Sequence, residues 1–260
     1  MDVVSLVMQK LPIFILALAR VTPVFVAAPF FGNRFVPVQW RVATSLGMAW
    51  FISVGPGAGA PPMPANVIAL AVMVIRELAV GGVIAFAFTM AVSAAQVAGQ
   101  LVDFEAGFSL ATALNPNFDV QLPVMADFYY VVSLLLFLVT NAYQVVLSAL
   151  WGSLKLVPLG QAVFRPEVAS ETWSLFSSLF ALGVQLALPV VSVLFLADLA
   201  LAVLSRAVPQ LNVLFMGMPL KAGATALLVA LTIPGTVLIL RDLFAGLAST
   251  VTVLLKALAP

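Results

Sequence analysis

The chain has 260 residues, of which 63% are hydrophobic and 8% charged, and its mean hydropathy is +1.19. Soluble chains carry about 25% charged residues, so this composition excludes a soluble domain and leaves an integral membrane protein or a subunit buried on most sides by partners. A net charge of +1 without a basic cluster argues against nucleic acid, and the lack of Cys and His excludes disulfides, thiolate or imidazole metal sites and histidine catalysis.

In chain order, the first hydrophobic segment, 11–31, follows Lys10 and is interrupted by Arg20. Cleavage as a signal peptide would fall after Val26-Ala27-Ala28, directly before Pro29, a poor context. The segment is therefore expected to be a retained helix. The second and third segments, 40–54 and 66–100, are parted by GPGAGAPPMP (55–64). Its first six residues fit G-x-G-x-x-A, but Pro56 sits in the turn and the flanks read as helices, so it is a helix–helix turn rather than a dinucleotide fingerprint. Segments at 128–153, 172–206 and 219–256 complete a set of six. Several exceed the ~20 residues that cross a bilayer, and helices of that kind tilt, bend or project beyond the lipid.

Two stretches interrupt this pattern. DFEAGFSLATALNPNFDVQLPVMAD (103–127) holds four acids (Asp103, Glu105, Asp119, Asp127), no base and two prolines, and reads as a long non-helical connection. Oxygen donors at 115, 117 and 119 resemble the start of a calcium loop, but the required Gly and Glu fall on Val120 and Ala126. In SRAVPQLNVLFMGMPLKAG (205–223), Pro209 and Pro219 bracket a piece containing Asn212, Phe215, Met216, Gly217 and Met218. Prolines so placed break a helix, and backbone freed at membrane depth must be buried in protein or line a watery cavity. Between the two, AVSAAQVAGQ (91–100) is rich in small residues, which lets a neighbouring helix approach closely.

The remaining signal is charge. Arg76-Glu77, Asp198 and Arg241-Asp242 lie within apolar segments, where each isolated charge costs at least ~2.5–3.5 kcal/mol. Sequence neighbours on a helix do not face each other, so their partners lie on other helices, other subunits or in water. Counted on alternate sides, Lys10, Lys155, Arg165 and Lys256 balance Arg34, Arg41, Arg206 and Lys221, and the charge bias sets no orientation.

VAGQLVDFEAGFSLATALNPN (97–117), FLADLALAVLSRAVPQLNVLFMGMPLKAG (195–223) and LARVTPVFVAAPFFGNRFVPVQWRVA (18–43) together resemble the FliR family, flagellar export-gate subunits with counterparts in virulence type III secretion. The similarity covers essentially the whole chain, as one export-gate domain over 1–260. It implies an all-α fold of about six long hydrophobic helices arranged as hairpins, some broken, within a helical multi-subunit gate. It also implies a location in the bacterial inner membrane at the flagellar basal body, no enzymatic activity and no cofactor or metal. The implied partners are FliP-like and FliQ-like subunits, FlhB-like and FlhA-like export proteins, membrane lipid, and the unfolded flagellar proteins that pass outward.

The family's pore plug matches Gly107 to Leu122, with Gly107, Phe108, Ser109, Leu110, Ala111, Thr112, Asn115, Pro116, Asn117 and Phe118 as its candidate residues. Its hydrophobic gasket matches Phe215, Met216 and Met218, and the charges expected at subunit contacts are Arg76, Glu77, Asp198, Arg206 and Lys221. Two departures stand out. Asn115-Pro116 replaces the usual Asp-Pro, and Thr140-Asn141-Ala142-Tyr143 replaces an Asp-Gly-His, where tyrosine cannot carry protons as imidazole does. The competing readings are the homologous gate subunit of a virulence injectisome, and a channel or secondary transporter using intramembrane charges. A transporter coupled through Asp198 and Glu77 would be expected to show internal repeats. IRELAVG (75–81) and LRDLFAG (240–246) resemble each other but are too short to establish one. A membrane enzyme, lacking any substrate-holding motif, ranks below both.

Overall fold

A chain with so little polar side-chain surface must satisfy its backbone internally, and helices do this within one segment. The computed structural model describes residues 3–32, 36–55, 66–108, 123–208 and 213–260, and these are helical with short connections and no strand. The helices are α1 (Val3–Ala27), α2 (Val38–Val54), α3 (Val67–Ala106), α4 (Val124–Val139), α5 (Ala142–Leu156), α6 (Pro166–Ala207) and α7 (Val213–Ala257). They follow the six apolar segments, with the fourth split in two.

Local chemistry sets most of the ends. Asn66 caps α3, its side-chain oxygen accepting the Ala69 N–H at 2.8 Å. Gly107 stops that helix in a left-handed conformation, φ 81°, which glycine adopts without a Cβ penalty. Pro166 opens α6 at its first position, where a missing N–H costs nothing, and Glu167 follows in the first turn.

Three expectations need correction. The stretch 103–127 is not non-helical throughout: 103–106 close α3 and 124–127 open α4, because helical hydrogen bonding continues through the acids at each end. The segment 128–153 is not one helix: Asn141 is left-handed (φ 57°), its N–H donates to Leu138 O at 3.1 Å and its carbonyl accepts from Gln144 at 2.9 Å, closing α4 and starting α5. Asparagine tolerates this conformation better than its apolar neighbours would. Pro219, expected to break its segment, lies inside a continuous α7, as does Pro234. Pro209 lies outside the described residues.

Length is the second constraint. α3, α6 and α7 contain 40, 42 and 45 residues. At 1.5 Å per residue each spans roughly 60 Å or more, about twice the hydrocarbon thickness of a bilayer. Among the described residues four helices are long and apolar enough to cross a membrane, or five if α4 and α5 form one broken span. In the most apolar stretches of α6 and α7 only 22% of residues are buried. So much uncovered apolar surface requires lipid or other protein chains against it.

The chain forms two compact units. The first comprises Met1–Met90, Leu138–Phe176 and Phe244–Pro260, the second Ala91–Phe137 and Ser177–Leu243. In the first, α1 packs on α2, Lys10 Nζ donates to Ser53 O at 3.0 Å, and Leu16, Val24, Ile52, Ile84, Phe88 and Leu150 form part of the core. In the second, Ala91, Ala95, Ala98, Phe137, Leu186, Val190 and Leu194 are buried. The small-residue stretch of α3 is used by the chain's own helices: a Cβ on Gly183 of α6 would meet Ala94 O at 2.7 Å.

Candidate functional site

The acidic connection is built from its base upward. Val124 is the first residue of α4 and Pro123 precedes it, so no side chain at the cap position can accept the first free amides of that helix. Asp103, near the end of α3, supplies the acceptors. Its two carboxylate oxygens take the N–H groups of Met125 and Ala126, each at 2.9 Å. A carboxylate here also faces the positive end of the α4 dipole.

Close backbone approach makes the contact possible. A Cβ on Gly99, one turn before Asp103, would lie 2.5 Å from Met125 O and as close to the Ala126 backbone. Gly107 then turns the chain away, its N–H bonded to Phe104 O at 3.2 Å. Asp103 is only 6% exposed, so its carboxylate is committed to this contact rather than to solvent. Glu105 is half-buried and Asp127 exposed. Of the plug candidates, Gly107 is buried and Phe108 half-buried. Ser109, Leu110, Ala111, Thr112, Asn115, Pro116, Asn117 and Phe118 lie outside the described residues.

The second interrupted segment belongs to the same compact unit. α6 ends at Ala207 with Arg206 exposed in its last turn, and α7 begins at Val213. Phe215 lies in the first turn of α7, its side chain outside the description. Met216 is 57% exposed and Met218 half-buried. Gly217 lets α7 approach α6: a Cβ there would sit 3.1 Å from Leu201 Cδ1. Lys221 Nζ reaches back to Asp198 Oδ2 at 2.7 Å, with the aspartate 43% exposed and the lysine mostly covered.

The first unit holds a charge cluster that the sequence does not reveal. Arg20 and Glu77 are fully buried, with Arg20 Nε donating to Glu77 Oε2 at 2.5 Å. The same guanidinium donates through Nη1 to Ser153 O at 3.0 Å and to Val157 O at 2.7 Å. Glu77 Oε1 accepts the Gly160 N–H at 2.8 Å. Glu77, expected at a subunit contact, thus has both oxygens engaged within its own chain. Its neighbour Arg76 is exposed among apolar side chains, including Ile75 and Val72. Arg241 and Asp242 are also exposed, and a Cβ on Gly246 would meet nothing, whereas one on Gly81 would collide with the backbone of Arg20. The two similar heptapeptides therefore occupy unlike surroundings.

No group of three or more metal-ligating side chains occurs among the described residues. The described geometry is a long connection whose two ends are held together, and a helix that begins beside the exposed Met216.

Comparison with known proteins agrees with the motif resemblance. The sequence profile described as "Bacterial export proteins, family 1" matches residues 11–247. The flagellar biosynthetic protein FliR of Bacillus subtilis (strain 168) is 31% identical over 245 residues, covering 92% of each chain. FliR of Escherichia coli (strain K12) is 28% identical over 217 residues, 84% of this chain and 82% of that one. Yop proteins translocation protein T of Yersinia pestis is 29% identical over 237 residues, 88% of each. With its long apolar helices, this chain is a membrane protein and belongs to the bacterial export protein family 1.

Proposed function

We propose that the chain is a non-enzymatic subunit of the flagellar type III protein-export gate, acting as one functional domain over its whole length. In this reading it assembles with FliP-like and FliQ-like subunits in the inner membrane at the flagellar basal body, near FlhB-like and FlhA-like proteins. The assembly conducts unfolded flagellar proteins. The segment 107–122 plugs the closed pore, and Phe215, Met216 and Met218 contribute to a hydrophobic gasket around it. Arg76, Arg206 and the exposed side of the Asp198–Lys221 pair meet neighbouring subunits.

One observation carries the plug reading: the clamp of Asp103 on Met125 and Ala126. It ties together the two ends of a long connection rich in small and apolar residues, with Glu105 and Asp119 its acids. A loop anchored in this way can be displaced without pulling its helices apart. The uncovered apolar surface of α6 and α7 needs lipid or other chains against it, and the exposed Arg76 of α3, costly against lipid alone, supports other chains. The competing transporter reading loses one of its two coupling carboxylates, because Glu77 is locked in a structural cluster.

Affinity purification in mild detergent followed by intact-complex mass measurement tests the assembly. The expected result is co-purification with other small membrane proteins in unequal copy number. A lone monomer that transports a solute in vesicles would contradict it.

A further inference from the structure

The first compact unit contains a groove that the gate reading leaves unused. Its volume is about 560 Å³, within the ~300–1,000 Å³ typical of ligand clefts. The walls include Phe86 of α3, Phe164 of the preceding turn, and Thr172, Trp173 and Phe176 of α6, and Arg165 is the one charged lining residue. The turn is held in place by Val163, whose N–H donates to Leu258 O at 3.1 Å. Trp173 and Phe176 stack with ring centroids 5.6 Å apart, and both stay exposed.

A polar metabolite would find little to bind here. The Thr172 hydroxyl already donates to Val168 O at 2.7 Å. The guanidinium of Arg165 is exposed and has no hydrogen bond or ion pair among the described residues. Glu167, two residues further on, is not part of the wall. The groove is therefore an apolar trough with one unneutralised cation, at the start of a helix apolar enough to cross a membrane.

We propose that this groove is a phospholipid site, with an acyl chain lying between Phe86 and the Trp173–Phe176 pair and the headgroup phosphate on Arg165. Tryptophan favours the headgroup region, and a basic side chain beside it is attracted to anionic headgroups. The planar guanidinium matches two phosphate oxygens at once. Because no acid lines the groove, charge complementarity selects an anionic headgroup over a zwitterionic one. The proposal does not depend on the plug or on gate assembly.

The test uses the full chain in phosphatidylcholine vesicles containing increasing fractions of phosphatidylglycerol with brominated acyl chains, which quench tryptophan on contact. Subtracting the signal of Trp173→Phe isolates Trp173 from the other three tryptophans. The Trp173 component should be quenched at about fivefold lower lipid fraction than with brominated phosphatidylcholine, as expected for one basic side chain at an anionic surface. Arg165→Gln should abolish that preference. Arg241→Gln, at an exposed arginine outside the groove, should leave it intact. Arg165 is exposed, so its replacement does not disturb the core. Equal quenching by both lipids, a preference that survives Arg165→Gln, or a Trp173 that no brominated lipid reaches (a protein occupant) would each overturn the proposal.

Discussion

Asp103 and Ala126 stand 23 residues apart in the chain and 2.9 Å apart in space, carboxylate oxygen to backbone nitrogen. With the companion bond to Met125, this contact replaces the cap that Pro123 cannot provide and closes the base of the acidic connection. Removing it leaves two helix-terminal amides without acceptors, at a cost of about 1–3 kcal/mol. Asp103→Ala and Asp103→Asn should both lower the unfolding temperature in detergent, the asparagine because one side of its amide presents a donor to a donor. Hydrogen exchange at Met125 and Ala126 should accelerate in both variants. Unchanged protection would show that the clamp does not hold the loop base.

The adjacent glycines Gly81 and Gly82 should respond in opposite directions. A Cβ on Gly81 would enter the backbone of Arg20, whereas one on Gly82 would meet open space. Gly81→Ala should destabilise by about 1–3 kcal/mol or more through overpacking. Gly82→Ala should be neutral or stabilise by about 0.5–1 kcal/mol, because alanine loses less backbone freedom in a helix. Thermal unfolding of the two variants under the same conditions gives the comparison, and equal effects would contradict the close approach of α1 and α3 at this point.

The Arg20–Glu77 pair predicts strong coupling. Removing one partner of a fully buried ion pair costs about 3–5 kcal/mol, while replacing both with apolar residues often costs far less. Arg20→Met and Glu77→Leu should each reduce the yield of folded protein sharply. The double variant should lose clearly less than the two losses added together, though not recover fully, because the backbone groups of Val157 and Gly160 lose their partners too. By contrast, Asp198 is partly solvated, and partly exposed pairs contribute about 0–1 kcal/mol. Asp198→Asn should leave the stability of the isolated chain nearly unchanged while weakening recovery of partner subunits. Additive losses for Arg20 and Glu77, or a large stability loss for Asp198→Asn, would reverse this assignment.

The apolar runs made the helices legible because hydropathy and length act locally: α2 ends at Val54 and α3 begins at Val67, while the turn expected at 55–64 lies, beyond Gly55, outside the described residues. Asn141 did not announce its break, because one polar pair inside an apolar run reads equally well as a packing contact. Pro219 misled in the other direction: it removes one backbone bond, a loss that α7 absorbs within a continuous helix. At the site, the sequence shows Asp103 only as one of four acids in the connection. The available signal was the lack of any capping side chain before Val124. Arg20 was visible as a charge within a run, but its acceptors come from Glu77, Ser153 and Val157, and no local pattern brings those together.

The central claim, that residues 107–122 stop a conduit formed with other subunits, is tested most directly by ion conductance. The purified assembly would be reconstituted in planar bilayers with and without residues 110–119, leaving the Asp103 clamp in place. The deletion is predicted to raise the resting conductance clearly above that of the intact assembly. Resting conductance indistinguishable from the intact assembly, in a complex shown to be fully assembled, would contradict the claim.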